Sequence, residues 1–366
     1  MKTAGLILTI ACFVMLAGCG TSDAATAPVD TPDPINLPLT IPGRYPVGVK
    51  QNIPFTDPAR SDRTISITVW YPALHPSDPS GSEPFIDAMP DPAGAPYPLI
   101  LSSTKMGKDF AQHLVSYGLI YVGVDRQDSK DHWGTWLTDY PLDLVFALNQ
   151  VASNPPLVLK DMIDSDHAGT LGYSFDGYTS LALSGARIDP AFYTAQCRDA
   201  DSMEPKLPTG WLDYICNPTG GWDEIVRNAG SLITSGDDGL WNAITDERIR
   251  AVMPMAPEGA WLFGEKGLSF VDRPTLIIGA TIDGINIYEI EAVYLFDHIP
   301  AAYSTMISFV NQGHMMIYDS VQVARMKHFA TAFFGYHLQG KVNYAEYFSE
   351  SFTNQYDGLS WGPYKK

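Results

Sequence analysis

Short apolar runs, each followed by a stretch with helical spacing, constrain the fold of this chain more than any other feature. Residues 98–103 (PLILSS), 119–124 (LIYVGV), 249–255 (IRAVMPM), 274–280 (PTLIIGA) and 305–310 (TMISFV) are apolar almost throughout. A run without a polar face must be covered on both sides, as a strand inside a parallel sheet is. Residues 64–71 (TISITVWY) alternate and are β-branched, which predicts another strand. A brief strand is predicted at 168–172 (AGTLG). Helical spacing marks 108–117, 142–152, 175–184, 288–298 and 320–334. Strand and helix alternate, so the expected class is α/β: a mostly parallel central sheet with helices on both faces.

Composition agrees with a large globular core. The chain has 366 residues, of which 45% are hydrophobic and only 17% charged, a balance foreign to disordered chains. Its formal net charge of −18 repels phosphodiester backbones, so nucleic acid is not an expected partner. The same charge opposes attraction to anionic lipid headgroups.

The first residues read as a targeting segment. Lys2 supplies a positive start, and residues 4–17 form an apolar run too short to span a membrane as a mature helix. The run ends in Leu16-Ala17-Gly18-Cys19, which resembles the bacterial lipobox. That resemblance implies a signal peptide over 1–18 and a diacylated Cys19 as the new N-terminus. The protein would then be exported to the bacterial cell envelope and held on a membrane facing the periplasm or exterior. Residues 19–46, rich in Pro, Asp, Thr and Ala, read as a flexible linker.

Cys12 would leave with the signal and Cys19 would carry lipid. Of the four cysteines, Cys197 and Cys216 remain, and an oxidising compartment favours a bridge between them. Both lie in an anomalous connection of about 60 residues, where compact α/β connections run to about 2–6. This insertion, about 186–248, also carries Phe192, Tyr193, Trp211, Tyr214, Trp222 and Trp241. It is expected to cap the carboxyl end of the sheet, where such folds bind ligands. The domain itself is expected to span 47–340, with 341–366 as a C-terminal extension.

The segment Gly172-Tyr173-Ser174-Phe175-Asp176-Gly177 follows a short strand and opens a helix. A sharp strand-to-helix turn exposes the serine hydroxyl above the sheet, and the helix N-terminus favours developing negative charge. The pattern departs from G-x-S-x-G, because Asp176 stands where the last glycine belongs. A structural place for Asp176 in the first helical turn is expected.

With these residues the chain resembles the α/β-hydrolase superfamily over roughly 63–334. Val69-Trp70-Tyr71-Pro72 is similar to an early strand of the dienelactone hydrolase and platelet-activating-factor acetylhydrolase group. The 274–283 segment, PTLIIGATID, is similar to the acid-bearing strand of cutinases and polyester hydrolases. The resemblance implies a triad in the order Ser174, Asp283, His314. Asp283 directly follows a buried strand, and His314 follows the last one. Glu258 and Asp237 or Asp238 are alternative acids. His75, His113, His132, His167, His298, His328 and His337 are alternative bases without strand-end context; His132 could line the pocket.

The oxyanion hole requires two N–H donors. Phe175 is one, and Met106, in Ser102-Ser103-Thr104-Lys105-Met106-Gly107, is the second by alignment. Relatives carry His-Gly-x-Gly there, which this chain lacks. The implied activity is hydrolysis of carboxylic esters through an acyl-enzyme, of carboxylesterase/lipase or phospholipid acetylhydrolase type. The alternatives are a cutinase-like polyester hydrolase and a hydrolase-fold lipoprotein that binds ligand without catalysis. The expected partners are a small-molecule or lipid ester and, through the anchor, a membrane. No cofactor or metal is expected, since no zinc or calcium motif is present.

Overall fold

A computed structural model of the chain describes residues 37–76, 82–126, 133–203 and 206–365. Cys19, the signal segment and His132 lie outside the described residues.

Among the described residues the ten strands are β1 (Val47–Asp57), β2 (Arg63–Pro72), β3 (Phe85–Ile86), β4 (Tyr97–Ser103), β5 (Ile120–Val124), β6 (Ile163–Tyr173), β7 (Ile249–Met255), β8 (Thr275–Ala280), β9 (Ser304–Phe309) and β10 (Leu359–Trp361). They form one sheet in the order β10-β9-β8-β7-β6-β4-β5-β2-β1-β3. From β5 through β9 every pairing is parallel. Antiparallel pairs join β1 to β2, β2 to β5 and β9 to β10. The protein is therefore α/β with a mostly parallel, mixed sheet.

Strand periodicity sorts the core into two layers. In β4, Ile100 faces the layer built with Phe110 and Leu114 of α1 (Lys108–Ser116). Leu99 and Leu101 face the opposite layer with Leu144 and Leu148 of α2 (Trp133–Ser153). Leu276 and Ile278 of β8 likewise turn one way and Ile277 the other. This two-sided demand on every strand is why the central runs contain so few polar residues. On the second face follow α3 (Phe175–Ala182), α8 (Ala260–Leu268) and α9 (Tyr294–His298), while α10 (Ser320–Gln339) joins α1 on the first.

Among its described residues, the long connection between α3 and β7 holds four short α-helices: α4 (Pro190–Asp199), α5 (Thr209–Ile215), α6 (Trp222–Ala229) and α7 (Ser231–Thr234). Cys197 and Cys216 are bridged, tying α4 to the end of α5. Arg187 closes the base of the insertion through a bidentate pair with Asp238, at 2.8 and 2.9 Å. Its aromatics are largely internal: Tyr193, Trp211 and Trp241 are buried, sharing a core with Tyr178, Trp261 and Phe263 of the main body.

The chain on either side of the expected domain also packs on it. Leu37 and Leu39 are buried. The backbone of Leu39 is held twice, its N–H donating to His328 Nδ1 at 3.1 Å and its carbonyl meeting His113 Nε2 at 2.9 Å. At the other end β10 adds a strand beside β9, with α11 (Glu350–Thr353) leading to it. Two buried leucines repay ordering the first segment, and paired backbone groups hold the second.

The sheet's parallel strands run outward in both directions from the β4/β6 pair: β5 follows β4 on one side, and β6 to β9 continue on the other. Such a switch point leaves a crevice at the carboxyl ends of the strands, where ligands bind in open α/β sheets.

Candidate active site

Ser174 stands at that crevice, between the end of β6 and the start of α3. Its backbone takes φ 59°, ψ −122°. A non-glycine residue in this conformation stores strain of order 1–3 kcal/mol, which the surroundings must hold. They do so from two sides. The Ser174 N–H donates to Met255 O at the end of β7, at 2.9 Å. Gly172 lets the strand run against the new helix: a Cβ there would lie 1.9 Å from Asp176 O. Gly177, one position later than the usual motif glycine, lets α3 approach the segment after β7, where a Cβ would come within 3.0 Å of Pro257 Cα.

Asp283 and His314 come from the two loops that follow β8 and β9. Their spacing is fixed by hydrogen bonds between the two segments. Thr281 N–H donates to Phe309 O (3.1 Å), Ile282 N–H to Gln312 O (2.9 Å), and Asn311 N–H to Thr281 Oγ1 (2.8 Å). Asp283 Oδ1 accepts from the N–H groups of Ile285 and Asn286, at 2.9 and 2.8 Å. Its Oδ2 is thereby aimed at His314 Nδ1, 2.8 Å away. The other ring nitrogen, Nε2, lies 3.0 Å from Ser174 Oγ. Since a carboxylate only accepts, Nδ1 carries the ring proton and Nε2 is left to accept from the serine hydroxyl. Tyr173 OH donates to His314 O at 2.5 Å, fixing the backbone behind the ring. The Asp283 side chain is 1% exposed, so its charge faces the imidazole in a medium that screens it poorly.

Two of the alternative acids are engaged elsewhere, and Asp237 is exposed on the insertion. Asp238 is paired with Arg187. Glu258 accepts from Tyr214 OH of the insertion at 2.9 Å. Burial pushes its carboxyl up to about 8, which favours its neutral form. Among the alternative bases, His113 and His328 are buried and hold Leu39. Desolvation lowers both to about 4, as it does His337.

Met106 ends a tight 3₁₀ turn (Thr104–Met106) directly after β4, and Phe175 is the first residue of α3. The two residues thus stand on the elements that flank the crevice, each beside Ser174's strand in the sheet order or chain.

The polar network around Asp176 is not visible in the sequence motif. Its Oδ2 accepts from Ser103 Oγ at 2.6 Å and its Oδ1 from Arg126 Nη1 at 2.9 Å. The Arg126 guanidinium lies over the ring of Tyr140 at 4.3 Å and near that of Phe175 at 5.4 Å. Trp136 and Tyr140, one helical turn apart in α2, complete this aromatic group. Their i, i+4 spacing was a usable signal, hidden by Pro141, which suggests a helix start rather than an interior. Tyr214 and Glu258 are a second unanticipated pair. They bring α5 of the insertion to the carboxyl end of β7, where Trp211 also meets Trp261 edge-on at 4.9 Å.

No protein-family model matches the chain, and no curated protein matches it.

Proposed function

We propose that this chain is a serine hydrolase of the α/β-hydrolase fold that cleaves carboxylic esters through an acyl-enzyme. The reading rests above all on one observation: Ser174 Oγ, His314 and Asp283 are joined by hydrogen bonds of 3.0 and 2.8 Å at a strained strand-to-helix turn. In this mechanism His314 Nε2 takes the Ser174 proton as Oγ attacks the ester carbonyl. Asp283 stabilises the imidazolium. The N–H groups of Met106 and Phe175 receive the oxyanion. His314 then returns the proton to the departing alcohol, and water, activated by the same ring, releases the acid.

The substrate is an ester with an apolar flank. Ile282 and Ile285 beside Asp283, and Met315 and Tyr318 beyond His314, are largely exposed, leaving an apolar rim around the polar centre. The insertion, held to the strand ends through Tyr214 and Trp211, acts as the cap. The chain is anchored through a lipid on Cys19 in the cell envelope of a bacterium.

Two variants test this reading. Ser174→Ala abolishes hydrolysis of p-nitrophenyl esters from acetate to decanoate and labelling by a fluorophosphonate, while wild type shows both. Cys19→Ser abolishes incorporation of radiolabelled palmitate. Ester hydrolysis surviving in Ser174→Ala would refute the nucleophile, and palmitate on Cys19→Ser would refute the anchor.

A further inference from the structure

Asp176 occupies the position where a glycine would complete G-x-S-x-G, and it is 6% exposed. Its place near the N-terminus of α3 suits a carboxylate, but dipole compensation needs neither burial nor two side-chain donors. Each of those donors leads to a different part of the crevice. Ser103 Oγ donates to Asp176 Oδ2 at 2.6 Å and accepts from Lys105 N–H at 3.2 Å. Ser103 is therefore the N-cap of the Thr104–Met106 turn, and Asp176 sets the orientation of that cap. Arg126 Nη1 donates to Oδ1 at 2.9 Å while the guanidinium rests against Tyr140 and Phe175. One carboxylate thus reaches both the turn that ends in Met106 and the side chain lying against Phe175.

The space beside this network is about 10 Å³, lined by Ser103, Arg126, Tyr140 and Asp176 among others. That volume holds at most one water, which rules the network out as a ligand pocket of its own.

We infer that Asp176 is a positioning residue for the oxyanion hole: its carboxylate fixes the distance between the Met106 and Phe175 N–H groups, in place of the motif that this chain lacks after β4. The inference rests on the reading of Ser174 as an acyl-transfer nucleophile. A hole held at one spacing favours the tetrahedral intermediate over the planar ester, so its loss falls on kcat more than on KM.

The test uses the whole chain and p-nitrophenyl butyrate, with rates normalised to the sites titrated by a fluorophosphonate. Asp176→Ala lowers kcat per titrated site by about 10- to 100-fold, the scale on which misplaced groups act, with KM within about threefold. Its affinity for an alkyl trifluoromethyl ketone, whose serine adduct places an oxyanion in the hole, falls in parallel. Asp176→Asn, which can still accept from Ser103, recovers part of both. Ser103→Ala leaves the Asp176–Arg126 pair in place and shows a smaller loss of the same kind. The Asp176→Ala, Ser103→Ala double variant loses less than the product of the two single losses, because the residues act as one unit.

A lower melting temperature for Asp176→Ala, with kcat per titrated site and ketone affinity unchanged, would overturn the inference and leave a structural role. Should Asp176→Ala fail to fold, unchanged kcat and ketone affinity in Ser103→Ala would overturn it equally. Activity surviving in Ser174→Ala would instead overturn the nucleophile on which the inference stands. The two failures are thus told apart.

Discussion

At the residue scale, the proposal of Asp283 rather than Glu258 as the acid rests on what each carboxylate accepts. Asp283 receives two backbone N–H groups on one oxygen and the imidazole on the other. Glu258 has a tyrosine hydroxyl and a desolvated site, where its neutral form is favoured. Asp283→Asn retains an oxygen for the Ile285 and Asn286 N–H groups, but its amide offers a donor to Nδ1 and so favours the wrong tautomer. The expected result is a fall in kcat of about 10³–10⁴-fold with little change in KM. Glu258→Gln keeps the Tyr214 bond and should remain within a few-fold of wild type. Steady-state kinetics of the two variants check this; the opposite ranking would move the acid to Glu258. The positions of Ser174, Asp283 and His314 were legible in the sequence because each adjoins a buried run whose end can be located. Ser103 and Arg126 were not, since their part depends on side chains meeting across strands that the sequence does not align.

At the element scale, the central strands were read well because burial on both faces leaves no polar position to blur them. Strand β7 coincides with its expected range, β4, β5 and β8 differ by one residue at one end, β9 is shifted by one residue at both, and β6 begins five residues before its expected start, in a polar stretch. The elements that escaped are those that satisfy only part of that pattern. β1 lies toward the sheet edge, is exposed at Gln51, Asn52, Pro54 and Thr56, and shifts register between Lys50 and Ile53. α8 is interrupted at Gly264, whose φ of 57° breaks the helical run. α2 begins nine residues before the expected start and continues through Pro141. The insertion follows a different logic, since its helices are too short to stand alone. They rely on a shared aromatic core and on the Cys197–Cys216 bridge, which joins residues 19 apart in sequence. Closing a loop of that size contributes about 3 kcal/mol in the chain-entropy model. Reducing the bridge, or Cys197→Ser with Cys216→Ser, should therefore open the insertion before the sheet. Limited proteolysis would show first cuts between residues 186 and 248 while far-ultraviolet circular dichroism stays close to that of the oxidised protein. First cuts in the main body would mean that the insertion is not a separate cooperative unit.

At the scale of the whole molecule, buried ionisable groups set opposite limits on the pH range of stability. Glu258 and Glu291 are both fully buried, and desolvation raises each from 4.5 to about 8. Their contribution is complete below the unfolded value of 4.5 and is lost as pH rises through 8, because the folded chain keeps protons that the unfolded chain releases. His113, His328 and His337 are lowered from 6.5 to about 4. Their contribution is complete above 6.5 and is lost as pH falls through 4, because unfolding lets the rings take up protons. Between 4.5 and 6.5 three histidines outweigh two carboxyls, so stability rises with pH. Between 6.5 and 8 only the carboxyls act, so it falls. The melting temperature should therefore peak near pH 6.5. Glu258→Gln with Glu291→Gln keeps the hydrogen bonds from Tyr214 and from the Ala260 N–H while removing both protons from the balance. The double variant should hold its melting temperature from pH 6.5 to 8, where wild type declines, and the two should converge toward pH 5. Thermal unfolding followed across pH 5–8 measures this directly. A parallel decline in wild type and variant would place the alkaline loss in other groups. A variant destabilised most at pH 8 would mean that the two carboxyls are ionised in the folded protein and stabilise it as charges.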